Sequence, residues 1–148
     1  MQKLAFFVIF LSLLSTGPAR RHHVKHNAAE PVPAFLKGSF TDDYGIKYTI
    51  NDTLWIQHPR SRFHIIKWNI KDQYLIARND DGNPGEGGLY TRIDFMQFTG
   101  MEPWRWGFCL TAYDAKTDAI AEATAKADRQ NPKKGCNGFP FSRMKKVE

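Results

Sequence analysis

The stretch FHIIKWNIKDQYLIARND, residues 63–80, decides the fold. Phe63–Trp68 and Gln73–Asn79 are rich in β-branched and aromatic residues, and the Asn69–Asp72 segment between them is polar apart from Ile70. Two such runs joined by a short turn read as an antiparallel hairpin. The same texture continues on both sides. Leu89–Phe98 is the longest alternating run, with Leu89, Thr91, Ile93 and Phe95 on one face and Tyr90, Arg92, Asp94 and Met96 on the other. Trp104–Thr111 puts Trp104, Trp106, Phe108 and Leu110 on one face, which should point inward, and Arg105, Gly107, Cys109 and Thr111 on the opposite one. Upstream, Leu36–Thr41, Ile46–Ile50 and Leu54–His58 complete the series.

A strand about every ten residues, with no helix-length pattern before residue 114, is the signature of an antiparallel barrel or sandwich. Only Asp114–Arg129 reads as a helix. Asp114 or Thr117 can cap it and its alanines raise its propensity. Its apolar face (Ile120, Ala123, Ala127) is thin, so it should lie on the outside of the sheet. The reading is a mainly β fold: a small antiparallel β-barrel of about six or seven strands, one C-terminal α-helix packed outside, and one disulfide.

The ends of the chain differ from this middle. Lys3 followed by the apolar Leu4–Leu14 run and Gly17-Pro18-Ala19 is the pattern of a secretory signal peptide cleaved after Ala19. The apolar run is too short to span a bilayer. Residues 1–19 are therefore expected to be a signal peptide, and 20–34 a flexible basic, histidine-rich leader. Residues 35–148 should form a single domain with the helix and tail. The product is expected to be secreted, extracellular and monomeric, without membrane insertion. In an oxidising compartment Cys109 and Cys136 read as one disulfide. Its loop closure is worth roughly 3–4 kcal/mol.

Charge sits at the ends. Segment 20–30 holds three basic residues and one acid, and 126–148 holds seven basic and two acidic, while 31–125 carries ten basic and twelve acidic. A nucleic-acid binder would carry its basic stripe on the fold itself, so no nucleic-acid partner is expected. Basic ends suit loose attraction to an acidic glycan or protein partner.

Catalytic signals are sparse. His58 and His64 lie in different strands or at strand edges, Ser39, Ser61 and Ser142 lack a nucleophile-elbow context, and no Walker, zincin or dinucleotide motif is present. Adjacent Asp42 and Asp43 point to opposite strand faces and suit a turn better than paired acid–base work. The glycine-rich, acidic loop from Asn79 to Gly88 lacks EF-hand spacing and reads as a hairpin tip or cavity lid. His22, His23 and His26 form a floppy set better read as a solvated tail. No metal and no cofactor is implied. Asn51-Asp52-Thr53 is an N-glycosylation sequon at a turn, so Asn51 would carry a glycan in a eukaryotic host.

In outline the chain resembles the lipocalin or calycin group over residues 36–130. The resemblance rests on the up-and-down strands, the hairpin of residues 63–80, one helix after the last long strand and a disulfide near the carboxyl end. Gly38-Ser39-Phe40 stands where that group often has Gly-x-Trp, matching the glycine and an aromatic. The resemblance implies a carrier with its site in the barrel interior. The leading expectation is a secreted barrel binding a small, largely apolar ligand in an aromatic-lined cavity. Trp68, Tyr74, Tyr90, Trp104, Trp106 and Phe108 would line it, and Arg78 and Arg92 would meet a polar head. If Arg92 enters the interior, Asp94 is its partner; otherwise both belong to a solvated outer face. The alternative is an extracellular protein- or glycan-interaction module with a solid core. A third reading is a secreted hydrolase using Asp42, Asp43, Asp94 and His64.

Overall fold

The structure, a computed structural model, describes residues 31–147. The signal segment, the three leader histidines and most of the leader lie outside them. A short 3-10 turn, Ala34–Leu36, leads into eight strands: β1 (Gly38–Asp42), β2 (Lys47–Ile50), β3 (Leu54–Gln57), β4 (Ser61–Asn69), β5 (Tyr74–Asn79), β6 (Tyr90–Gln97), β7 (Trp106–Ala115) and β8 (Ser142–Lys146). One short helix, α1 (Asp118–Ala123), follows β7. Each strand pairs antiparallel with its neighbours in chain order, and β8 pairs with both β7 and β1, closing the barrel. Closure leaves no edge strand to template association.

The mainly β barrel, the external helix and the Cys109–Cys136 disulfide are present. Three details differ from the sequence expectation. The strand count is eight, because the basic tail supplies β8. The helix spans Asp118–Ala123 alone. Thr117 caps it, its Oγ1 accepting from the Ile120 N–H at 3.2 Å. At the other end Arg92 Nη1 donates to the carbonyls of Glu122 and Thr124 at 2.6 and 3.2 Å. Those carbonyls serve a guanidinium instead of propagating the helix. Ala121, fully buried, is the helix's anchor, and Ile120 is exposed.

An eight-stranded barrel is just wide enough for side chains to fill. Here Phe40, Tyr48, Ile50, Trp55, Leu75, Ile93, Phe95, Trp106, Phe108 and Met144 form one buried cluster. Its rings meet edge to face: Trp55 lies 6.0 Å from Trp106 and 5.1 Å from Phe108, and Phe40 lies 5.3 Å from Trp106. Such pairs add about 0.5–1.5 kcal/mol each beyond their area.

Two smaller clusters lie outside the barrel wall. Tyr74, Ile76 and Ala115 receive Ala121 of α1, with Tyr90 packed against them. Cys109, Ala127 and Phe141 are joined by Met96, Phe98 and Cys136, so the disulfide sits outside under the returning tail. Gly107 makes room there. A Cβ on it would come within 2.8 Å of the Phe98 ring and 3.0 Å of the Ser142 carbonyl oxygen.

Between the two outer clusters runs a buried polar clasp. Asp94 is fully buried and accepts from Arg92 (Nε, 2.9 Å; Nη2, 3.2 Å), Arg129 Nη2 (2.9 Å) and Thr111 Oγ1 (2.6 Å). Arg129 also donates to the carbonyls of Asp72, Gln73 and Phe95, tying the strap after α1 to the β4–β5 turn and β6. Arg92 stacks on the Tyr74 ring at 4.1 Å. Arg92 and Asp94 therefore lie on the outer face, but beneath the strap rather than in solvent.

Candidate functional site

Strand direction gives the barrel two mouths. The β1–β2, β3–β4, β5–β6 and β7–β8 connections lie at the upper mouth. The β2–β3, β4–β5 and β6–β7 connections, with the entering 3-10 turn, lie at the basal mouth.

The upper mouth holds a cavity of about 280 Å³ bordered by Gln57, Ser61, Phe63, Asn79, Leu110 and Tyr113. The loop from residue 80 to 88 covers it, contributing Asn83 to Glu86. Asp80 anchors that loop by accepting from the Gly82 N–H at 2.9 Å and pairing with His64 Nε2 at 2.8 Å. The His64 hydrogen bond holds the Asp80 carboxyl below the usual carboxylate range. Asn83 adds two bonds to the Arg62 backbone. Beneath the loop, Asn79 donates to the carbonyls of Glu86 and Tyr113 and accepts from Thr91. Asn79, Asp80 and Asn83 thus direct their side-chain polar groups to holding the loop.

The basal mouth holds a larger cavity, about 980 Å³, bordered by Phe35, Phe40, Trp106, Glu102, Arg105 and Lys146 among others. Register explains its make-up. Phe40 pairs with Lys146 and Trp106 with Met144. Directly opposed residues share a face. Lys146 is therefore on the inward face of β8, in phase with buried Met144, yet at the open rim where it is exposed. Gly38, at φ +127°, starts β1 in a conformation that side chains rarely adopt. A Cβ there would lie 3.5 Å from the Lys146 Cε, so the lysine stem runs alongside it. Phe35, half-buried on the 3-10 turn, meets Trp106 edge-on at 6.5 Å. Trp106 is 1% exposed, and its Nε1 is the buried side-chain polar atom without a hydrogen-bond partner among the described residues. Leaving such a donor unpaired costs about 1–3 kcal/mol. Neither Arg105 nor Lys146 has an ion-pair partner among the described residues.

The residues expected to line a cavity fall into two sets. Trp106 and Phe108 are inside. Trp68 packs against the same cluster, its ring 6.1 Å from Phe95 and its Nε1 donating to the Asp52 carbonyl. The others lie outside the barrel. Tyr74 and Tyr90 meet α1, and Tyr74 also donates to Glu122. Arg92 belongs to the clasp, and Arg78 pairs with Asp81 at 2.7 Å. Trp104 precedes β7 and lies under Arg143 and Lys145, 5.4 and 5.3 Å from its ring centre. The physical reason is the second outer layer: α1 and the tail bury one flank of the wall, so burial there does not mean interior. Sequence reading missed Phe35, Phe40, Arg105 and Lys146. Phe40 carried a usable signal, being an aromatic in an alternating run.

The hydrolase candidates do not converge. Asp42 is buried, capping the β1–β2 turn and accepting from Tyr48 Oη at 2.9 Å. Burial, reinforced by Asp42, pushes the Tyr48 hydroxyl well above the usual phenol range. Asp43 pairs with Arg143, Asp94 with Arg92 and Arg129, and His64 with Asp80. Asn51 sits on an exposed turn, its Oδ1 accepting from the N–H groups of Thr53 and Leu54. No group of three or more metal-ligating side chains occurs among the described residues. None of the described helices is long and apolar enough to cross a membrane.

Comparison of the chain with protein-family models, with curated proteins and with solved structures finds no match.

Proposed function

We propose that this protein is a secreted binding barrel that holds a small, largely apolar molecule at its basal mouth. The observation that carries the reading is the cavity of about 980 Å³ floored by Phe35, Phe40 and Trp106. Small-molecule sites span roughly 300–1,000 Å³ and combine apolar walls with a few polar groups. The packed centre moves the site from the lumen to this mouth. The unpaired Trp106 N–H supports it, since a ligand acceptor reaching that ring would recover a lost hydrogen bond. Phe35, half-buried on the 3-10 turn at the mouth, presents part of its ring to the cavity.

The test is intrinsic tryptophan emission during titration with 1-anilinonaphthalene-8-sulfonate, a fluorescent apolar probe. Saturable quenching that Phe35→Arg abolishes supports the reading. Absence of saturable binding refutes it.

A second reading has its own observation. Arg143 and Lys145 are stacked on Trp104 outside the barrel, a basic and aromatic surface suited to an acidic glycan. Salt-sensitive retention on heparin, lost in Lys145→Glu, favours it.

A further inference from the structure

Resting on the basal-cavity reading, we infer that the ligand carries an anionic head group of the carboxylate class, held at the rim by Lys146 and Arg105 with its apolar body over Phe35 and Phe40. Two observations converge. Lys146 occupies an inward-facing register position, opposite Phe40 on β1 and in phase with buried Met144. Its ammonium is exposed at the rim of the cavity without an ion pair among the described residues, so it is available to an anion. Arg105, from the β6–β7 connection, borders the same cavity and has no ion pair among the described residues. Among the described residues Glu102 is the acid that borders this cavity, and it can neutralise at most one of the two cations.

The chemistry of the site is thus an aromatic floor and a positive rim. A cationic or uncharged amphiphile would leave the rim uncompensated. The chain's own segment 20–30, with three basic residues and one acid, would face repulsion there. An alkyl carboxylate satisfies both surfaces at once, and its oxygens accept from an ammonium and a guanidinium together.

The deciding experiment compares dodecanoate with dodecanol on the full secreted chain at neutral pH, read by tryptophan emission. The two probes share an alkyl chain and differ in head-group charge. Dodecanoate is expected to bind roughly tenfold more tightly, the scale of two partly exposed ion pairs. The Lys146→Gln/Arg105→Gln variant should reduce that preference to less than about twofold. Both side chains are exposed, so the fold is retained, which circular dichroism checks. Glu86→Gln at the opposite mouth should change neither affinity. Equal binding of the two probes overturns the head-group assignment and leaves the apolar-ligand reading standing. A preference that survives in the double variant also overturns it, because the anion is then held elsewhere. Binding of neither probe, the result if residues 20–30 fill the cavity, overturns this inference and the reading beneath it.

Discussion

Replacing Asp94 with Asn removes the one negative charge between two guanidinium groups and leaves the shape of the site unchanged. Asp94 is fully buried, the Arg92 side chain is 6% exposed and that of Arg129 is 19% exposed. Arg129 can turn partly toward water once its partner is gone. Arg92 cannot, since it lies between the Tyr74 ring and the Glu122 and Thr124 carbonyls. An Asn side chain keeps one acceptor but points an N–H₂ at a guanidinium. Breaking a buried pair from one side costs about 3–5 kcal/mol. The relief open to Arg129 places this case near ~3 kcal/mol. A domain of this size has about 5–15 kcal/mol in total. In urea, with tryptophan emission as probe and the disulfide intact, the unfolding midpoint should fall by about 2 M. Arg78→Gln, which removes an exposed pair to Asp81, should cost less than about 1 kcal/mol. A loss below about 1 kcal/mol for Asp94→Asn would refute the view that this clasp secures the strap to the wall.

Gly107→Val should destabilise by about 1–3 kcal/mol, since its side chain collides with the Phe98 ring and the Ser142 carbonyl; thermal unfolding reads this, and an unchanged midpoint contradicts it. Paired serines at Cys109 and Cys136, which close a loop of sequence separation 27, should cost about 3.5 kcal/mol by chain entropy. Denaturant titration against the oxidised protein measures that, and a loss under about 1 kcal/mol would mean the unfolded chain is already compact. The Lys67 hydrogen bond, with that of Tyr74, holds the Glu122 carboxyl below the usual carboxylate range, and Glu122 holds the Lys67 ammonium above its usual value. A depressed acid contributes above its unfolded value and is lost as pH falls through the folded one. A raised base contributes below its unfolded value and is lost as pH rises through the folded one. Docking of α1, followed by the Ala121 methyl resonance, should therefore be constant from about pH 5 to 10 and loosen outside that window; a steady drift across it would contradict the pairing.

Much of the barrel was legible because its walls alternate. The hairpin of residues 63–80 appears as β4 and β5. The run from Leu89 to Phe98 appears as β6 with Ile93 and Phe95 inside. β8 was illegible for a physical reason: in SRMKK only Met144 is apolar, and a strand completed by a closing partner needs little hydrophobic pattern of its own. The helix was over-read because alanine propensity says nothing of a guanidinium taking its last carbonyls. The candidate site was hardest. Tyr74, Tyr90 and Arg92 look like lining residues in a one-layer barrel, but α1 and the strap add an outer layer that buries them from the other side. Lys146 reads as part of a basic tail until β8 fixes its phase with Met144.

The most direct measurement is native mass spectrometry of the protein collected from the medium, set against its denatured mass. The account predicts an adduct of a few hundred daltons that leaves on denaturation and is absent from Phe35→Arg. A native mass equal to the bare chain, before and after incubation with dodecanoate, would contradict it.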